Sequence, residues 1–313
     1  MEPGLLKSAD WPFVIDLYFF LGGIAGGAFV IATIANLIDG QRYRDAIRVG
    51  YYLAFLTIIP GPILLIADLG MPTRFLHMLM VSKPSLSIGM GAITVGPFHL
   101  KPFSPMSAGA WALNLFVVCA FLAALDVFLV DRGGRSMVAL RRWVGIIGSL
   151  FGFFVAAYPG VLVGATARPL FVSAHWLGAL FLAIGGSTGG AAIALILSLR
   201  GAQARESVSR LMRLTAFALI IQLIALVLFV VAVSSTGSVG MVRAVTDLLS
   251  GPYALLFWLG AVVIGLVAPL ALQFGGATQK VTPGMTVLVA VLVLVGGFIA
   301  KYVIIAAGQA RIS

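Results

Sequence analysis

The sequence predicts an all-α integral membrane protein of about eight transmembrane helices, arranged as two four-helix bundles. Three observations carry this prediction. First, the 313 residues are 61% hydrophobic and 10% charged, with a mean hydropathy of +1.12. Soluble domains are roughly a quarter charged and about half apolar, so this much apolar surface has lipid as its natural solvent. Second, the apolar residues gather into runs of about 20, the length that crosses a hydrocarbon core of about 30 Å. Third, the basic residues that make the net charge +10 lie between those runs, as membrane insertion requires. They form no patch or arm, which argues against a nucleic-acid partner.

In chain order, the runs place spans near residues 13–38, 46–67, 106–130, 143–165, 171–199, 212–234, 253–274 and 284–307. The first run is too long for the apolar region of a cleavable signal peptide, and Lys7 is the only basic residue before it. The longest connection, 68–105, carries Pro72, Pro84, Pro97, Pro102 and Pro105. Proline prevents a continuous helix there, so the segment reads as an ordered or re-entrant external loop. Of the Lys and Arg residues, twelve fall on one side of the predicted topology and eight on the other. The positive-inside rule places the twelve in the cytoplasm and both termini on the outer, periplasmic side.

A weak internal repeat supports the division into two halves. Gly22-Gly23-Ile-Ala-Gly26-Gly27 in the first span recurs as Gly185-Gly186-Ser-Thr-Gly189-Gly190 in the fifth. The spacing suggests two parallel four-helix bundles, residues 1–170 and 171–313, related by an axis along the membrane normal. Glycines four apart also serve simple close packing.

Metal and haem chemistry find little here. Cys119 is the only cysteine, so no disulfide or iron–sulfur cluster can be held within the chain. His77, His99 and His175 lie outside the middles of the spans, which disfavours a bis-histidine haem.

Polar residues inside the spans are costly and therefore informative. Asp16 and Tyr18 lie in the outer turns of the first span, and Asp68 ends the second. Tyr158 and Arg168 bracket the outer end of the fourth, and Lys301 lies in the outer half of the eighth. All fall at one membrane face. An apolar crevice with a carboxylate, a phenol and an arginine suits a lipophilic ligand with polar carbonyls, and a quinone fits. Its ring packs on apolar walls, a phenol donates to its oxygen, and a carboxylate takes up the quinol proton. Interfacial anchoring is the better reading of Tyr18 or Tyr158 taken alone, and a lone arginine snorkels to the interface, but carboxylates have no such anchoring role. His77, in the external loop, is as readily a solvated residue as a ligand. Asp126 is predicted to pair with a loop arginine such as Arg132. Asn36, Asn114, Gln222 and Gln273 are candidates for a hydrated path.

Several stretches resemble the NrfD/PsrC family of polysulfide-reductase membrane subunits. They are Trp11…Tyr18-Phe-Phe-Leu-Gly22-Gly23-Ile-Ala-Gly26-Gly27, Asp68-Leu69-Gly70-Met71-Pro72-Thr73-Arg74-Phe75, Ser104-Pro105-Met106-Ser107-Ala108-Gly109-Ala110-Trp111, and Tyr158-Pro159-Gly160-Val161-Leu162 with Arg168-Pro169-Leu170. The second half matches only in hydropathy and helix count. The resemblance implies a quinone-exchanging subunit of a respiratory oxidoreductase in a bacterial or archaeal inner membrane. It further implies menaquinone or ubiquinone as the cofactor, with no haem or cluster in this chain. An iron–sulfur partner subunit would dock on the outer face, accompanied by a molybdopterin or multihaem cytochrome catalytic subunit. The resemblance leaves room for proton translocation as well. Matched by block, Tyr158 is the quinone's hydrogen-bond donor, Asp68 the proton acceptor, and Tyr18 stands where some relatives have histidine. The competing readings are a secondary transporter, whose site would sit at mid-membrane on broken helices, and a passive anchor.

Overall fold

The computed structural model describes residues 11–69, 71–89, 91–166, 168–172, 176–200, 205–235, 239–275 and 282–309. Eight helices in it are long and apolar enough to cross a membrane: Phe13–Asp39, Arg44–Asp68, Pro105–Asp131, Val138–Gly164, Leu177–Leu199, Ser207–Ser234, Leu256–Phe274 and Pro283–Gln309. Backbone N–H and C=O groups have no water to bind in hydrocarbon, so each apolar run satisfies them internally as a helix.

α1 (Phe13–Asp39) is followed by α2 (Arg44–Ile58) and α3 (Pro60–Asp68), which together form the second span. Pro60 and Pro62 interrupt it because each removes a backbone donor and crowds the preceding turn. α4 (Pro105–Asp131) begins at Ser104, whose hydroxyl accepts the Ser107 N–H, with Pro105 tolerated in the first turn. α5 (Val138–Gly164) contains Pro159. The short α6 (Pro169–Val172) leads to α7 (Leu177–Leu199), α8 (Arg205–Ser234) and α9 (Val239–Leu249). The seventh span runs as a π-helix over Leu256–Val267 and continues as α10 (Ala268–Gly275). α11 (Pro283–Gln309) is the last described element.

The 68–105 connection is more regular than its proline content suggested. A 3₁₀ turn, Pro72–Met78, precedes an antiparallel hairpin of β1 (Met80–Ile88) and β2 (Ile93–Leu100), paired Leu86 to Val95 and Ile88 to Ile93. The irregularity between Met80 and Ser85 absorbs Pro84, as strand prolines require. Trp111 Nε1 donates to the His99 carbonyl at 2.9 Å, fastening the hairpin to α4.

At the centre, α1 and α7 cross along their two glycine motifs. A Cβ added to Gly27 would lie 2.0 Å from the Gly185 carbonyl oxygen, and one on Gly189 would lie 2.5 Å from the Ala28 nitrogen. Only hydrogen fits there, so the sequence repeat is used as a mutual backbone contact. Other helices pack around this crossing, and α5 also packs against α7. α1 packs on α2 and α5, and α7 packs on α8 and α11. α4 packs on α5, and the π-helical stretch packs on α11.

Candidate functional site

The up-and-down course of the helices brings the start of α1, the ends of α3, α5 and α11, and the hairpin to one face. Contacts tie this face together. The Trp11 backbone nitrogen donates to Gln309 Oε1, and Gln309 Nε2 donates to the Trp11 carbonyl at 3.1 Å. Arg168 donates from one terminal nitrogen to the Gln309 carbonyl oxygen at 2.8 Å. A cation beside the last carbonyls of α11 complements the negative end of its dipole. Arg168 thus acts here as a clamp on α11.

Below this clamp sit the two phenols. Tyr18 and Tyr158 are both buried, and Tyr18 lies at the α1–α5 contact, since a Cβ on Gly22 would lie 4.0 Å from its ring and 3.4 Å from Val155 of α5. Each ring rests where a neighbouring helix lacks a side chain. A Cβ at Gly61 of α3 would lie 3.1 Å from the Tyr18 ring, and one at Gly109 of α4 would lie 2.2 Å from Tyr158 Cζ. Phe154 stacks on Tyr158 with ring centroids 5.5 Å apart. Pro159, which cannot donate to Val155, loosens α5 at this level. Neither phenol hydroxyl is hydrogen-bonded to another described residue.

Asp16 does not join the phenols. Two residues along a helix turn the backbone by roughly 200°, so Asp16 and Tyr18 leave α1 on nearly opposite faces. Asp16 shares its face with Phe19 and Gly23, and that face meets Lys301 of α11. The Lys301 ammonium donates to the Phe19 carbonyl at 2.8 Å, lies 5.2 Å from the Phe181 ring centroid, and fills the space beside Gly23. Asp16 is 3% exposed and Lys301 1% exposed. They make no ion pair with each other, and Asp16 Oδ1 has no hydrogen-bond partner among the described residues. The polar residues predicted as one cluster therefore form two groups on either side of α1, phenolic and charged.

The other expectations divide. Asp68 is exposed at the end of α3, seven residues past Gly61 and hence about 10 Å further along the axis. His77 is exposed in the 3₁₀ turn, and His175 lies outside the described residues. Asp126 pairs with Arg141 at 3.3 Å and accepts from Ser136 and the Met137 N–H. The predicted partner, Arg132, instead lies over the Phe128 ring. The four amides do not form a path. Gln222 accepts from Ser187 in the core, whereas Asn114 donates to Ala110 on its own helix. Among the described residues no three His, Cys, Asp or Glu side chains converge as metal ligands.

Sequence reasoning noted Lys301 as an intramembrane charge but gave it no role. It also gave Gly61, Gly109 and Gln309 no role. The available signals were the Pro60-Gly61-Pro62 break and the rarity of an intramembrane lysine.

Comparison with known proteins covers the whole of this architecture. The model of the family described as "Polysulphide reductase, NrfD" matches residues 2–313. The protein belongs to that family. The polysulphide reductase match includes the second half, which the sequence blocks left without a counterpart. Among similar proteins, a polysulfide reductase chain of Wolinella succinogenes is 29% identical over 317 residues, spanning 96% of this sequence and 94% of its own. The NrfD homolog of Haemophilus influenzae is 25% identical, spanning 97% and 95%. A selenate reductase subunit of Mesobacillus selenatarsenatis is 25% identical over 81 residues, 26% of this sequence and 19% of its own. Family membership and eight apolar helices make this a multi-pass membrane protein.

Proposed function

We propose that the protein is the quinone-exchanging membrane subunit of a respiratory oxidoreductase. The observation that carries this reading is the pair of buried phenols, Tyr18 and Tyr158, lying near each other toward one membrane face with unengaged hydroxyls. A phenol donates one hydrogen bond to a quinone oxygen, and the bare surfaces of Gly61 and Gly109 seat the two phenol rings. Names of similar proteins, a polysulfide reductase chain and a selenate reductase subunit, support membership in a multisubunit reductase.

In this reading residues 1–170 hold the site and 171–313 buttress it through the α1–α7 crossing. Oxidation of a quinol releases two electrons and two protons. The electrons pass to an iron–sulfur subunit docked over the face that carries the hairpin. That partner in turn serves a molybdopterin or multihaem catalytic subunit. Protons leave through side chains of this protein, and Asp16, buried with a free carboxylate oxygen, is the acceptor nearest the phenols in depth. Asp68, exposed at the rim of the same face, relays protons to water. Whether menaquinone or ubiquinone is used, the same two donors meet the ring oxygens.

The test uses the complex purified from its native membranes, assayed with a soluble quinol analogue. Tyr158→Phe keeps the ring against Gly109 and removes the donor. Turnover is expected to fall at least about tenfold, which is roughly 1.4 kcal/mol of barrier, with assembly intact. Unchanged turnover would sink the quinone site and leave a passive anchor. One observation favours a secondary transporter instead, namely the buried Asp16 of α1 and the buried Lys301 of α11 where those helices meet. Solute uptake by proteoliposomes holding this protein without partner subunits would establish that reading.

A further inference from the structure

The opposite face of the molecule carries a second site, unrelated to the phenols. A cavity of about 240 Å³ opens between the α1–α2 connection, α4 and the start of α5. From Asp16 to Gly40 along α1 is 24 residues, or about 36 Å, so this cavity lies at the far membrane boundary. Its polar lining is Gln41, Arg44, Arg48, Asp131, Ser136 and Arg141. Ile47, Val127, Val130 and Val138 form the apolar remainder of the wall.

The charges do not cancel. Arg48 pairs with Asp131 at 2.8 Å, and Tyr52 also donates to Asp131 at 2.9 Å. Arg141 pairs with Asp126 behind the wall at 3.3 Å, but its Nε is buried with no hydrogen-bond partner among the described residues. Arg44 has no carboxylate partner among the described residues. Asp39 does not line the cavity, and its carboxylate accepts the Gln41 and Arg42 N–H groups. Three arginines against two aspartates leave one positive charge over. α2 also begins at this cavity, with no side-chain cap bond from Tyr43 and with Asp45, which does not line the cavity, in its first turn.

We propose that this cavity binds the phosphodiester headgroup of an anionic phospholipid. One phosphodiester carries the single negative charge that the lining lacks. Arg44 and Arg141, both in the lining, are its donors, and the valine and isoleucine wall meets the glycerol and upper acyl carbons. Basic pockets between transmembrane helices at a membrane boundary are suited to such headgroups. Bound lipid staples α1–α2 to α4–α5 at the face away from the phenols.

The experiment takes the purified complex, delipidated in detergent, and measures lipid retention by native mass spectrometry. Phosphatidylglycerol, phosphatidylcholine with the same acyl chains, and inorganic phosphate are added in separate arms. Wild type should retain phosphatidylglycerol in preference to phosphatidylcholine. Arg44→Gln, at an exposed position without an ion-pair partner among the described residues, should weaken that retention about fivefold, the effect of removing roughly 1 kcal/mol of headgroup attraction. Arg142→Gln, the same charge change outside the cavity, should not. Equal losses in both variants would reduce the effect to general surface charge and overturn the site. Equal retention of the two lipids, or binding of inorganic phosphate without phosphatidylglycerol, would overturn the lipid assignment.

Discussion

At the scale of single residues, burial separates groups that hold the protein together from groups kept for another reason. Asp126 is of the first kind, since it holds Arg141, Ser136 and the start of α5 together. Asp126→Asn leaves Arg141 without its counter-charge. A fully buried pair broken in this way costs about 3–5 kcal/mol. Arg141 keeps 16% of its side chain exposed, so a loss of about 2–3 kcal/mol is expected, read as a lowered melting temperature. Lys301 is of the second kind. An ammonium buried against a carbonyl and an aromatic ring recovers only part of its hydration. Lys301→Met keeps nearly the same volume and removes that cost. The variant should melt at the same or a higher temperature while quinol-linked turnover falls by more than about tenfold. Equal turnover would make Lys301 a packing residue alone.

At the scale of elements, the α1–α7 crossing joins two central helices by direct backbone contact. Gly27→Ala puts a methyl carbon into the Gly185 carbonyl, whose neighbours are backbone and cannot swing aside. Overpacking of this sort costs about 1–3 kcal/mol in ordinary cores, and a backbone clash lies at or above the top of that range. The expected outcome is poor yield and aggregation on size-exclusion chromatography. Gly284→Ala meets nothing within 4 Å and should purify like wild type. The hairpin was not foreseen, because β1 and β2 carry prolines and glycines that read locally as loop. Their pairing is a long-range fact, as is the Trp111 bond that anchors them. Leu86 and Ile88 on β1 are each 78% exposed, on one face of the strand.

At the scale of the whole molecule, the direction of insertion is testable. With Cys119 replaced by serine, Ser85→Cys in the hairpin should react with a membrane-impermeant thiol reagent applied to intact cells. Gly134→Cys, among the basic residues of the α4–α5 connection, should react only after lysis. The reverse pattern would overturn the charge-based topology. The eight spans were legible from hydropathy to within a few residues, because a hydrocarbon solvent leaves a long apolar run little choice but helix. That the candidate polar residues lie toward one face was also legible, since it follows from counting spans. Which of them touch was not. Asp16 and Tyr18 are two residues apart yet look to opposite sides of α1, and the acidic residue carried over by family likeness, Asp68, is exposed. Gly61 and Gly109, inconspicuous in sequence, shape the seats of the two phenols. Membership of the polysulphide reductase family and the helix count are written in local composition and short motifs. The separation of a phenolic site from a buried charge, and the cavity at the far face, depend on how helices distant in sequence rotate and pack. That rotation is set by glycine contacts spread over the whole protein, which no local window contains.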